Sequence, residues 1–127
     1  MIVLDASVLI GHLNAGDPHH AAARTLIEES GAMPLGASAI SLAETLVAPA
    51  RAGRLEEAEA VLGRLGIAAL DLGSGAPTRL AALRATTGRK LPDCCVLLAA
   101  QEHEGMIATF DHDLAKAAGA LGIEAIA

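Results

Sequence analysis

Five short apolar runs recur along the chain: MIVL at 1–4, PLGAS at 34–38, GIAAL at 66–70, MIATF at 106–110 and GIEAI at 122–126. None alternates polar with apolar, as a strand with one wet face would. Strands of this kind are buried on both sides, which is the condition of a parallel sheet. Parallel neighbours need a crossover between them, usually helical. The intervening segments carry helical periodicity, so the pattern predicts an α/β fold, a three-layer α/β/α sandwich around a central parallel sheet. No repeat, linker or low-complexity tract divides the chain, and 1–127 reads as one domain.

The helical segments can be placed. ASVLIGHLN follows the first run. DPHHAAARTLIEES opens with Asp17-Pro18, a favourable helix start. In SLAETLVAPARAG, Pro49 is expected to bend or end the helix. RLEEAEAVLGRLG sets Leu55, Ala58, Val61, Leu62 and Leu65 on one stripe. APTRLAALRATTG stops at Gly88, a C-cap. PDCCVLLAAQEHEG is apolar on most sides through Ala100 and should be buried. DHDLAKAAGALG closes the series.

Composition narrows the function. Phe110 is the only aromatic residue, and 53% of residues are hydrophobic. The core must be aliphatic, and no ring platform for single-stranded nucleic acid is available. The net charge of −6 argues against a grip made mainly by neutralising phosphates. A nucleic-acid role would need a local site where a metal offsets acidic side chains. Cys94 and Cys95 are adjacent in an apolar run, without a C-x-x-C or a disulfide framework, which points to a reducing compartment. MIVLDASVLI lacks a basic leader and is interrupted by Asp5. No apolar run reaches transmembrane length. The expected location is cytoplasmic.

Four acids fall at related places. Asp5 follows the first strand and Asp111 the fourth. Glu44 lies one turn into the helix after the second strand, and Asp93 opens the buried helix. Sites in open parallel sheets form beyond the carboxyl ends of the strands. Each acid alone has a local explanation. Asp5 and Asp111 could be N-caps, Ser41-Leu-Ala-Glu44 matches a capping box, and Asp93 suits a helix N-terminus. Together they would crowd negative charge on one sheet edge, which is costly. Hard divalent cations such as Mg²⁺ or Mn²⁺ favour such oxygen-rich sites. His19-His20 and the EHE at 102–104 lack metal-site spacing and read as surface residues. Neither a phosphate-binding G-x-x-x-x-G-K-[ST] loop nor a G-x-S-x-G elbow is present, and Asp5-Ala6-Ser7 lacks the second acid of D-x-D phosphatases.

IVLDASVLI, SLAET, LPDCCVLLAA and IATFDHDL resemble the four acidic motifs of the PIN domain. With DPHHAAA in the second helical segment and a match spanning almost the whole chain, the sequence is similar to VapC toxins of type II toxin–antitoxin pairs. The resemblance implies strand order 3-2-1-4-5 and a Mg²⁺- or Mn²⁺-dependent endoribonuclease. It also implies a homodimer, silenced by a VapB antitoxin whose C-terminal segment fills the groove. Asp5, Glu44, Asp93 and Asp111 would form the acidic site. Asp5 and Asp93 would be the main metal ligands, and Asp111 would hold a metal-bound water or a second metal ion. Glu44 would orient or deprotonate the attacking water. Ser7, Thr109 and Asp113 are expected outside the ligand set, with Asp113 mainly serving the helix start. Arg84, Arg89, Lys90 and Lys116 could meet RNA phosphates or pair with neighbouring Glu. Two alternatives stand beside this: a PIN-like RNA-processing nuclease without an antitoxin, and a non-enzymatic Mg²⁺-binding module of receiver type. A receiver would want an acid pair after the first strand and a Lys closing its last, and neither is present.

Overall fold

The computed structural model describes residues 1–127. In chain order its elements are β1 (Ile2–Leu4), α1 (Ala6–Leu13), α2 (His20–Glu29), β2 (Leu35–Ser38), α3 (Ala39–Arg51) and α4 (Leu55–Arg64). These are followed by β3 (Ala68–Leu70), α5 (Ala76–Thr87), α6 (Leu91–Glu102), β4 (Met106–Ala108), α7 (His112–Ala120) and β5 (Ala125–Ile126). The sheet is wholly parallel, in the order β3-β2-β1-β4-β5. Ile2 stands opposite Leu35 on one side and Met106 on the other, so β1 is the central strand.

Strand pleating divides the core into two. Val3 and Ile107 point to one face and join Leu83, Val96, Leu97 and Leu114 from α5, α6 and α7. Ile2, Leu4 and Ala108 point to the other, where Val8, Leu9, Leu26 and Leu62 from α1, α2 and α4 cover them. This is the expected three-layer sandwich. α6 is buried from Cys94 through Ala100. Burial of both cysteines raises their thiol pKa values, which fits packing rather than reactivity.

Four local expectations are corrected. α2 begins at His20, because Asp17-Pro18 forms a turn in which the Asp17 carboxylate accepts the His19 N–H at 2.8 Å. α3 runs through Pro49 to Arg51 rather than ending there. Its N-cap is Ser38, whose hydroxyl oxygen accepts the Ser41 N–H at 3.1 Å. Ser41 therefore lies inside the helix, and the capping box with Glu44 does not form. On α4, Ala58 and Leu62 are buried but Leu55 is exposed, so the apolar stripe is narrower than its periodicity suggested. Gly88 does close α5 in the left-handed region, at φ 71°. Gly36 in β2 has a packing reason: a Cβ there would lie 2.7 Å from the Leu70 side chain.

Candidate active site

The carboxyl ends of β1 and β4 meet because Leu4 pairs with Ala108, and the Asp5 N–H donates to the Ala108 carbonyl at 2.9 Å. That register puts the turn carrying Asp5 beside the turn carrying Thr109 and Asp111. Strand order reverses here, with β2 and β3 on one side and β4 and β5 on the other, which opens a crevice.

Asp5 occupies the N-cap position of α1, yet its side chain caps nothing. Its Oδ2 accepts hydrogen bonds from the Ser7 and Thr109 hydroxyls, each at 2.8 Å. Each hydroxyl oxygen in turn accepts a backbone N–H: Ser7 from Phe110 at 3.1 Å, Thr109 from Asp111 at 3.0 Å. Two amides, two hydroxyls and one carboxylate oxygen thus lock the β1–α1 and β4–α7 turns together. Asp5 is only 8% exposed, and its Oδ1 has no hydrogen-bond partner.

Asp111 is the N-cap of α7. Its Oδ1 accepts the N–H groups of Asp113 and Leu114 at 2.9 and 3.2 Å. Its Oδ2 faces Arg89, whose Nη2 donates at 3.3 Å. Asp93, in the first turn of α6, receives both Nε and Nη2 of Arg89 on Oδ2, at 3.0 and 2.7 Å. Asp113 is outside this group: its side chain is 81% exposed and stands 3.9 Å from Arg89 Nη1. Glu44 makes no side-chain hydrogen bond. Partial burial and the negative charges of Asp5 and Asp93 push its carboxyl above the usual carboxylate range. That shared field places Glu44 in the neighbourhood of Asp5 and Asp93.

Arg89 thus ties Asp93 to Asp111, the Thr109 hydroxyl ties Asp5 to the same β4–α7 turn, and Glu44 lies in the field of Asp5 and Asp93. The Oδ1 atoms of Asp5 and Asp93 and the Glu44 carboxylate are uncommitted hard oxygens, the donor type that Mg²⁺ and Mn²⁺ accept. No three His, Cys, Asp or Glu side chains converge into a ready-made metal cage. The cations divide differently from expectation. Arg89 pairs with Asp93 and Asp111 rather than standing free. Arg84 turns to the end of its own helix, donating to the Gly88 carbonyl at 3.2 Å. Lys90 and Lys116 are exposed and form no ion pair.

Sequence reasoning missed two features. The Arg89–Asp93 pair has i,i+4 spacing and could have been read from it. The groove between α1, α3 and α4 could not: a cleft of about 410 Å³ bounded by Ile10, Leu13, Ala48 and Val61, with Glu44 on its wall.

A parallel sheet that reverses order beside an aspartate at the end of each central strand, with two further acids on flanking helices, defines an α/β protein whose candidate site is acidic. Within that class the chain belongs to the PIN domain family, whose model matches residues 2–120. No curated protein matches it significantly. Solved structures share the fold. A toxin–antitoxin complex from Klebsiella pneumoniae is 23% identical with a TM-score of 0.77, over 100% of this chain and 97% of that one. FitAcB from Neisseria gonorrhoeae is 20% identical with a TM-score of 0.71, over 100% and 97%. The Mycobacterium tuberculosis toxin VapC20, whose description is a sarcin-ricin loop cleaving toxin, is 19% identical with a TM-score of 0.70, over 92% and 95%. No helix is long and apolar enough to cross a membrane.

Proposed function

We propose that the protein is a divalent-metal-dependent endoribonuclease and the toxin of a toxin–antitoxin pair. The observation that carries the reading is the buried Asp5 carboxylate, fixed through one oxygen by two hydroxyls and leaving the other without a hydrogen bond beside the turn that carries Asp111. Membership of the PIN family and likeness to solved toxins support it.

Phosphodiester hydrolysis needs an activated water and stabilisation of developing negative charge. A divalent ion, Mg²⁺ or Mn²⁺, supplies both when bound. Asp5 and Asp93 would hold it through their Oδ1 atoms. Glu44 would take the proton of the attacking water, since its carboxylate makes no side-chain hydrogen bond and burial together with the charges of Asp5 and Asp93 raises its proton affinity. Asp111 would orient water through Oδ2 while Oδ1 stays with the helix. Ser7 and Thr109 keep Asp5 from rotating. RNA phosphates would meet the exposed Lys90 and Lys116. A VapB-type antitoxin segment would lie in the apolar groove that leads to Glu44, and a cytoplasmic homodimer belongs to the same reading.

The experiment is to sequence the RNA 5′ ends that appear on induction, beside an Asp5→Asn control, with and without co-expression of a cognate VapB-type antitoxin. New ends and growth arrest are expected from the wild type alone, and the antitoxin should suppress both. Identical ends and identical growth in wild type and control would overturn the nuclease reading.

A further inference from the structure

The crevice already contains a cation. Arg89 sets one guanidinium edge on Asp93 Oδ2, through Nε and Nη2, and the same Nη2 reaches Asp111 Oδ2. Nη1 turns toward Asp113. A planar guanidinium with several donors suits such a shared position better than an ammonium does. For Asp111 the consequence is specific. Its Oδ1 is committed to the α7 N-terminus, so the oxygen that Arg89 touches is the only one it can offer to anything else.

The Arg89 main chain is anchored independently of its guanidinium. The Arg89 N–H donates to Thr87 Oγ1 at 3.1 Å, and its carbonyl accepts the Cys94 thiol at 3.4 Å, so the main chain is held apart from the side chain. A cleft of about 430 Å³, lined by Arg89 with Thr86, Asp113, Lys116 and Ala120, gives the side chain somewhere to go.

We propose that Arg89 is a placeholder cation: it holds Asp93 and Asp111 in position in the metal-free protein and must yield to the divalent ion, so that it sets the metal concentration at which the site loads. This rests on the metal-site reading above and adds a named competitor to it. It accounts for the acids facing one crevice without closing into a cage, since a guanidinium occupies the space between two of them. Arg89 is in this sense a positioning residue and acts through the two aspartates.

The test is calorimetric titration of Mn²⁺ into the metal-free full chain, as wild type, Arg89→Gln, Arg89→Lys and Lys116→Gln, with thermal melts in chelator. Loss of a partly exposed ion-pair competitor should make the Mn²⁺ Kd of Arg89→Gln about fivefold lower, while its metal-free melting temperature falls. Arg89→Lys, which keeps the charge but loses the fork, should fall between wild type and Arg89→Gln and serves if Arg89→Gln does not fold. Lys116→Gln removes a nearby positive charge that touches no acid and should leave Kd within about twofold, as expected of an exposed, unpaired lysine. Unchanged or weaker binding in both Arg89 variants overturns the placeholder. Equal tightening in Lys116→Gln overturns it as well, because overall charge would then explain the effect. If the wild type and every variant fail to bind Mn²⁺, the metal-site reading itself falls and takes the placeholder with it.

Discussion

Asp5 and Asp111 occupy the same kind of position, the N-cap of the helix that follows a central strand, and they are used differently. Asp111 gives one oxygen to the Asp113 and Leu114 amides and caps α7. Asp5 gives α1 no side-chain cap and spends one oxygen on two hydroxyls instead. An N-cap aspartate contributes about 1 kcal/mol to its helix. Asp5 forgoes that, although it is the more buried of the two. A carboxylate withdrawn from its local helix and braced across 104 residues of sequence by Thr109 is positioned for chemistry. A carboxylate that caps with one oxygen and offers the other serves both ends.

The sharpest way to break this comparison is to separate the two uses of Asp111. Asp111→Asn keeps a capping oxygen but loses the charge. It should melt near the wild type and lower single-turnover RNA cleavage by on the order of a hundredfold or more, the scale seen when metal ligands or their immediate partners are lost. Asp111→Ala should be equally inactive and lose about 1 kcal/mol more stability, because the cap goes too. Equal stability of the two variants would show that the cap contributes nothing.

Thr109→Val tests the bracing of Asp5. It removes a buried donor to the carboxylate and leaves the Asp111 N–H without its acceptor. We expect a loss of about 2 kcal/mol in urea unfolding, with the α-helical circular dichroism intact. A loss no larger than that of an exposed Thr→Val change would mean that Asp5 does not depend on the hydroxyl.

Glu44 gives a smaller, pH-dependent effect. Its folded pKa is raised, so the folded state binds the proton more tightly than the unfolded chain does. The resulting stability is fully present below the ordinary carboxylate range and is lost as pH rises through the raised folded value. Glu44→Gln should therefore raise the metal-free melting temperature at pH 8 by about 1–2 °C, with the gain vanishing near pH 4. A gain that grows toward acid would reverse the sign and exclude crowding by Asp5 and Asp93.

The smallest effect belongs to Asp113. Its exposed carboxylate sits in the first turn of α7, and a solvated charge there is worth little. Asp113→Asn should cost less than about tenfold in cleavage, and mainly a few tenths of a kcal/mol in stability. If Asp113→Asn were inactive and Asp111→Asn active, the site would have to be redrawn around Asp113.

What the sequence disclosed follows from range. Alternation of apolar runs with helical segments is a local signal, and it located all five strands and the layer arrangement. The positions of Asp5 and Asp111 after their strands were equally local. Contacts between distant segments were not legible: the Thr109–Asp5 bond and the choice of Ser38 over Ser41 as the α3 cap depend on which strand residue is last to pair. Leu70 pairing with Ser38 fixes that boundary. The double use of Arg89 was half legible. Its spacing to Asp93 is helical, but Asp111 lies 22 residues away and comes near because α6 packs along β4.

The central place of β1 also fixes when the site can exist during synthesis. Ile2 is made well before one of its two strand partners, Met106, which comes 104 positions later. Ribosomes extend chains at about 5–20 residues per second, so the first strand waits several seconds with one edge unpaired. Thr109, which braces Asp5, and Asp111 emerge later still. A nascent or truncated chain that stops before Ala108 can hold Asp5, Glu44 and Asp93 but not the lock that organises them. Assembly of the crevice is thereby deferred until Thr109 and Asp111 have been made, and fragments released earlier would lack it.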